Sequence, residues 1–185
     1  NKPTIVIGNG YDLASIKPLV APNNVRPQII FVGTPGSIWH GVDKIIILAK
    51  ELNTFIFHII GTRVDELNFK GKLPDNIIFH GFLLKQDLLK LYQVADIAIG
   101  TLALHRKGMN EASPLKVREY LAYGIPTIIG YKDTDLNENI DGLLVLPNTE
   151  DNILPNLNLI ENFILKYKGK RIKRNDIKSI DYSVK

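Results

Sequence analysis

Six short apolar runs alternate with amphipathic stretches along this chain, and that alternation limits the possible folds more than any other feature. The runs are residues 28–32 (QIIFV), 54–60 (TFIFHII), 77–80 (IIFH), 96–101 (DIAIGT), 126–130 (PTIIG) and 143–146 (LLVL). They are short, rich in β-branched and aromatic residues, and mostly closed by glycine or a polar residue, which describes strands covered on both faces. Between the first two, Val42, Ile45, Ile46, Ala49 and Leu52 fall on one face of a helix. Leu84, Leu88, Leu91, Tyr92 and Ala95 do the same between the third and fourth. Strand–helix alternation of this kind predicts an α/β fold: a Rossmann-like, doubly wound parallel sheet of about six strands with helices on both faces. Such sheets bind ligands beyond the carboxyl ends of their strands, near the switch in strand order. The segments following the strands, 33–41, 61–66, 81–85, 102–114 and 131–141, are therefore where function is expected.

The rest of the chain divides around this body. Residues 1–27, rich in Pro, Asn and Gly, read as a connector packed on a domain spanning 28–165. Residues 166–185 carry eight Lys and Arg against Asp176 and Asp181, so the whole chain's net charge of +4 resides in this tail and the preceding body is mildly acidic. A solvated or poorly ordered basic tail is the expectation, with contact to an anionic membrane surface or to a missing domain as its alternatives. The acidic body argues against a nucleic-acid partner. No apolar run approaches the roughly 20 residues of a membrane span, no signal pattern is present, and cysteine is absent. A cytoplasmic protein is expected. Because the sole methionine is Met109, residue 1 is not read as a natural start and the chain is expected to be a fragment.

The most informative loop ends in EASPLKVRE, residues 111–119, where seven residues separate Glu111 from Glu119. Ser113 is expected to cap a helix beginning at Pro114 and ending before Gly124. Free amides and the helix dipole make such an N-terminus an anion site. Lys116, in the first turn, stands where the dipole alone favours an acid. Two readings follow: a solvated Lys116–Glu119 pair with an exposed loop glutamate, or a phosphate-sized site flanked by two carboxylates that accept hydrogen bonds from sugar hydroxyls.

Glu111 and Glu119 match the spaced glutamate pair of the retaining glycosyltransferases of family 4, whose two-domain architecture is called GT-B. VIGNGYD (6–12) resembles that family's interdomain segment, and FVGTPGSIWHGVDKII (31–46) its Gly-rich first strand–loop–helix. FHIIG (57–61), IIFHGFL (77–83), YQVADIAIGT (92–101), EYLAYGIPTII (119–129) and DGLLVLP (141–147) continue the likeness in order. The resemblance covers about residues 3 to 150 and implies the C-terminal, donor-binding half of the fold. It implies that Glu119 binds the ribose of a nucleoside-diphosphate sugar and that Glu111 binds the transferred sugar. Amides near Ser113, Leu115 and Lys116, with the loop at Gly33, would hold the diphosphate, and the turn of Gly81, Phe82 and Leu83 would lie beside the base. The implied partners are a nucleotide sugar, an N-terminal acceptor-binding domain, and a glycan or lipid-linked acceptor of polysaccharide biosynthesis. No cofactor or metal is implied, and the fragment alone would bind nucleotide without transferring a hexosyl group.

The chain departs from the family where an arginine and a lysine usually face the leaving diphosphate. Thr34 and His40 stand there. Lys116 is the substitute cation, assigned a catalytic role with Glu111, and Arg106 and Lys107 are more distant candidates. His40 is either a phosphate donor or part of the pocket wall. Loss of both cations leaves open a nucleotide-binding or scaffolding domain impaired in catalysis. Ser113 and Lys116 also fit the Ser-x-x-Lys spacing of serine acyl enzymes, but their companion motifs are missing. Asp133 and Asp135 are expected in a capping or solvated acidic turn, His58 as a core histidine, and His80 and His105 at loop edges, with no metal site.

Overall fold

The computed structural model describes residues 7–67 and 69–184. The first six residues of the connector, with Val6 of VIGNGYD, and Lys185 of the tail lie outside the described residues. The strands are β1 (Gln28–Val32), β2 (Ile56–Ile60), β3 (Ile77–Gly81), β4 (Ile97–Ile99), β5 (Glu111–Ala112), β6 (Thr127–Ile129), β7 (Lys132–Asp133) and β8 (Leu143–Val145). The helices are α1 (Val42–Glu51), α2 (Lys85–Val94), α3 (Leu115–Ala122) and α4 (Leu157–Tyr167). Six strands form a wholly parallel sheet of order β3-β2-β1-β4-β6-β8, as the alternation predicts.

Alternation along β1 shows how the sheet is covered. Ile29 and Phe31 pack with Ile45, Leu48 and Ala49 of α1 and with Ile160 and Ile164 of α4. Ile30, one residue out of phase, packs with Tyr92 of α2 and Tyr120 of α3. Each fully buried Ile, Leu or Phe among them contributes about 1.5–3 kcal/mol. Helix α4 is an addition to the predicted elements, although Leu157, Ile160 and Ile164 carry its period in the sequence. Leu84, assigned to the α2 stripe, instead precedes the helix and is exposed. The second strand begins two residues later than predicted because the Phe55 amide still bonds back to Leu52 O at the end of α1.

Two polar residues hold element ends. Asn76 donates through Nδ2 to the carbonyls of Ala49, Leu52 and Phe55 (2.9, 3.1 and 2.9 Å), closing the C-terminus of α1. Asp96, fully buried before β4, accepts from Asn24 Nδ2, the Gln28 amide and the Gly169 amide. It thereby joins connector, sheet and tail.

The tail differs most from expectation. Rather than lying solvated, it buries Ile172, Ile177 and Ile180 against Val117 and Leu121 of α3 and Leu13 of the connector. Arg171 donates to the carbonyls of Ala95, Gln93 and Tyr92 at the α2 C-terminus, a favourable place for a cation. Tyr11 and Asp181 pair in an isolated bridge. Among the described residues no helix is long and apolar enough to cross a membrane.

His58 is satisfied as expected but half-buried rather than in the core: its Nε2 lies 2.8 Å from Gln28 Oε1 and its Nδ1 2.9 Å from His80 Nε2. His80 is thus within β3 and part of this chain of bonds rather than at a loop edge. Burial lowers both imidazole pKa values, that of His58 to about 4.

Asn76→Ala leaves buried carbonyls without a donor and is expected to destabilise the chain by about 2 kcal/mol or more in urea unfolding. An unchanged midpoint would show that α1 ends without its help.

Candidate functional site

The strand order places β2 and β3 on one side of β1, and β6 and β8 beyond its other neighbour β4. The switch in order therefore lies between β1 and β4. A cleft of about 330 Å³ opens at their carboxyl ends, lined by Trp39, His40, Thr101, Leu104 and Lys107 on one side and by Ala112, Ser113, Leu115 and Lys116 on the other. Gly33 adjoins its wall: a methyl group there would meet the Phe31 ring at 2.6 Å and His40 Nδ1 at 3.0 Å.

Helix α3 delivers the residues from the far side. Its N-cap is Pro114 and no side chain caps it. This corrects the expected Ser113 cap. Ser113 Oγ instead accepts from the Asn9 amide and from Arg118 Nη2, both at 2.7 Å. The first-turn amides of Leu115 and Lys116 have no partner within the helix.

Lys116 does not pair with Glu119, so the solvated ion pair is not formed. Its Nζ is buried with no hydrogen-bond partner and lies 4.4 Å from the centroid of the Phe31 ring. Burial lowers its pKa to about 7. A buried ammonium held only by a ring face is costly unless an anion joins it. Across the cleft, burial and then the Lys116 charge lower the His40 pKa to about 3. His40 is a neutral wall residue, packed edge-on against Phe31 and Trp39, and the protonated phosphate donor is not formed at neutral pH.

Of the two distant cations, Arg106 is unavailable: it bonds both oxygens of Asp43 at 2.9 and 2.7 Å, and Glu150 besides. Those bonds lower the Glu150 pKa to about 2. Lys107 does reach the cleft, with Nζ 4.9 Å from the Trp39 ring centroid. Thr34 faces a separate cavity of about 290 Å³, between the 34–38 turn, α1 and the side made by Thr62, Glu66, Leu67 and Phe69.

The remaining candidates are spread along the same edge. Glu111 lies in β5, which pairs with β7 in a small parallel sheet absent from the sequence reading, and its carboxylate is 3.7 Å from Lys132 Nζ at an exposed position. Glu119 accepts from Tyr92 OH at 3.1 Å. Gly81 (φ 62°) ends β3, and Phe82 beyond it is 85% exposed, with Leu83 half-buried against the α2 layer. His105 bonds Glu150.

Arg118 is the residue that sequence reasoning missed. It is wholly buried and makes a two-pronged ion pair with Asp133 (2.8 and 2.7 Å) and a 3.0 Å contact with Asp135. Of the two expected forms of the Asp133–Asp135 turn, the capping one is present, since Asp133 Oδ1 accepts from the amides of Asp135 and Leu136, but the turn is a buried charge cluster rather than a solvated loop. Among the described residues no group of three or more His, Asp or Glu could hold a metal ion.

Residues 26–158 match the family model of glycosyl transferases group 1. The chain belongs to this family. In fold it is similar to a glycosyltransferase from Rickettsia africae ESF-5, at TM-score 0.69 and 17% identity over 97% of this chain and 54% of that one. It is also similar to the lipopolysaccharide outer core galactosyltransferase WaaB, at TM-score 0.67 and 16% identity over 95% and 51%. The C-terminal domain of the group 1 protein LpcC from Francisella tularensis gives TM-score 0.59 and 21% identity over 92% and 96%. The chain thus spans about half the length of the first two proteins and nearly all of the LpcC domain. These likenesses identify the sheet and its helices as a GT-B glycosyltransferase fold. No curated protein matches the chain.

For this group 1 chain the state of Lys116 is directly testable. Its amine has an ordinary pKa of 10.5 once unfolded, so between about pH 7 and 10.5 the unfolded chain binds more protons and native stability rises with pH. Lys116→Met removes the buried charge and is expected to stabilise the chain at pH 6 by on the order of 1–3 kcal/mol. The advantage should shrink as pH rises through that window. A destabilised variant at pH 6 would mean that the amine is already satisfied.

Proposed function

We propose that this domain binds the nucleoside-diphosphate-sugar donor of a retaining glycosyl transfer to a glycan or lipid-linked acceptor. The observation that carries the reading is the buried, unpartnered Lys116 ammonium at the uncapped N-terminus of α3, beside the switch point of the sheet. A diphosphate there would accept from the Leu115 and Lys116 amides and from Lys116 Nζ, with Lys107 at the rim. Each charge-assisted bond contributes about 1.5–3 kcal/mol.

The other roles follow from position. Tyr92 steadies one oxygen of Glu119, leaving the other to accept from a ribose hydroxyl. Exposed Phe82 offers a ring for stacking on the base, and Glu111 accepts from hydroxyls of the transferred sugar. Its ion pair with Lys132 is solvated and contributes little, so it does not compete strongly. Catalysis would consist of holding the donor and stabilising charge on the departing diphosphate, whose oxygen can take the acceptor's proton. No cofactor is assigned. The acceptor would be bound by another part of the enzyme, so this chain by itself binds nucleotide and transfers nothing. The engagement of Arg106 and the neutrality of His40 favour, as a second reading, a nucleotide-binding domain with weak leaving-group support.

A thermal-shift screen with UDP, GDP, ADP, dTDP and CMP tests the assignment, since ligand at 100 times its dissociation constant stabilises by about 2.7 kcal/mol. One diphosphate is expected to shift the unfolding temperature, and Glu119→Ala to weaken it about 10–100-fold. Binding should favour the protonated Lys116 amine, so affinity is expected to fall as pH rises above about 7. Calorimetry at pH 8 in two buffers should show proton uptake, lost in Lys116→Ala. No shift with any nucleotide, or equal shifts in wild type and Glu119→Ala, would reject the site.

A further inference from the structure

The loop that leads into α3 touches more than the cleft. On its other side the connector passes at Gly8 and Asn9, and the contacts between them are unusually complete. The Asn9 amide donates to Ser113 Oγ at 2.7 Å and Asn9 Nδ2 donates to Ser113 O. Arg118 Nε donates to Asn9 O at 3.2 Å, while Arg118 Nη2 reaches Ser113 Oγ at 2.7 Å. Gly8 lies flush against Asp135, where a methyl group would come within 1.9 Å of Oδ2.

The charge cluster makes this contact one of position rather than mere adhesion. A fully buried guanidinium must keep its carboxylates, so Arg118, Asp133 and Asp135 have little freedom to rearrange. The connector contributes no charge; it supplies the neutral acceptor for Nε. Displacing Asn9 would leave that N–H without its partner, release the carbonyl of Ser113 and leave its hydroxyl held by Arg118 Nη2 alone. Ser113 lies midway between Glu111, assigned to the sugar, and Leu115, whose amide is assigned to the diphosphate.

We propose that Asn9 and Arg118 are positioning residues for this site: the connector, clamped through Ser113 to the buried arginine, fixes where the first turn of α3 and the Glu111 strand stand relative to a bound diphosphate sugar. This rests on the donor-binding reading above. It assigns the connector a part in the affinity for the diphosphate while leaving recognition of base and ribose, at 81–83 and Glu119, independent of it.

Asn9 is exposed, so Asn9→Ala removes its Nδ2 bond to Ser113 O without opening the core; because the amide and carbonyl bonds of Asn9 are main-chain and persist, it is combined with Ser113→Ala, which removes the hydroxyl that the Asn9 amide and Arg118 Nη2 share. Two readouts separate positioning from general support. Hydrogen exchange of the unliganded chain should quicken about tenfold at the amides of 113–117, with the sheet amides unchanged. By calorimetry with UDP against UMP, GDP against GMP and ADP against AMP, the preference for diphosphate over monophosphate should fall about five- to tenfold, with monophosphate affinity kept within about twofold. Arg118→Lys, with its single ammonium, should give the same pattern more strongly if it folds. Unchanged exchange with an unchanged preference, or equal loss of both affinities, would overturn the inference. A wild-type chain that binds none of these nucleotides would instead reject the donor-binding reading, and the exchange result would then decide only whether the clamp orders the loop.

Discussion

A charge buried without water is the constraint around which the carboxyl edge of this sheet is arranged. Arg118 has no exposed surface, and its cost in the interior falls only if carboxylates and neutral acceptors surround it. Asp133 supplies the two-pronged partner, and to do so the chain after β6 must return toward α3. That return pairs β7 with β5 and so fixes Glu111 at the edge of the cleft. The same arginine holds Ser113, which places the start of α3 and therefore Lys116. One buried side chain thus governs the spacing of residues from three separate segments.

The second organising element is the contrast between two cations on one helix. Arg118 is fully satisfied by protein groups, and its removal would expose a structural fault. Lys116, two residues earlier, is buried without partners and held over a ring face. The protein has therefore placed one charge where the fold needs it and another where the fold gains nothing from it. A charge of the second kind is what a site for an anionic ligand requires, and its pKa, lowered to about 7 by burial, records how little its protein surroundings support it.

Much of this was legible in the residues. The six strands, the helices of the first half and the loops that carry the candidate site follow from periodicity and from glycine and proline punctuation. Local signals could not show what distant charges do once packed. Arg118 follows Val117 and precedes Glu119, and the Asp133-Thr134-Asp135 turn resembles any solvated acidic loop. The available signal was positional: Arg118 stands three and four residues before Leu121 and Ala122, on the buried face of its helix. The tail was misread for a similar reason. Its net charge suggested solvent, but Ile172, Ile177 and Ile180 anchor it, while Arg171 finds carbonyls at a helix end rather than water. His40 and Arg106 show the opposite failure, in which residues of suitable chemistry are neutralised or occupied by their surroundings.

The bonded series from Gln28 through His58 to His80 has a direction. His58 Nε2 donates to Gln28 Oε1, so its Nδ1 must accept, and His80 Nε2 must be the donor to it. Each imidazole is thereby committed to one tautomer, and a second proton on His58 would set two donors facing each other. Since folding lowers both pKa values, the unfolded chain binds more protons at mildly acidic pH, and this fastening is lost as pH falls toward 4. The edge strand that presents Phe82 is thus fastened to its neighbour by neutral rings as well as by the backbone ladder, so acid removes one of its fastenings and leaves the ladder as the other.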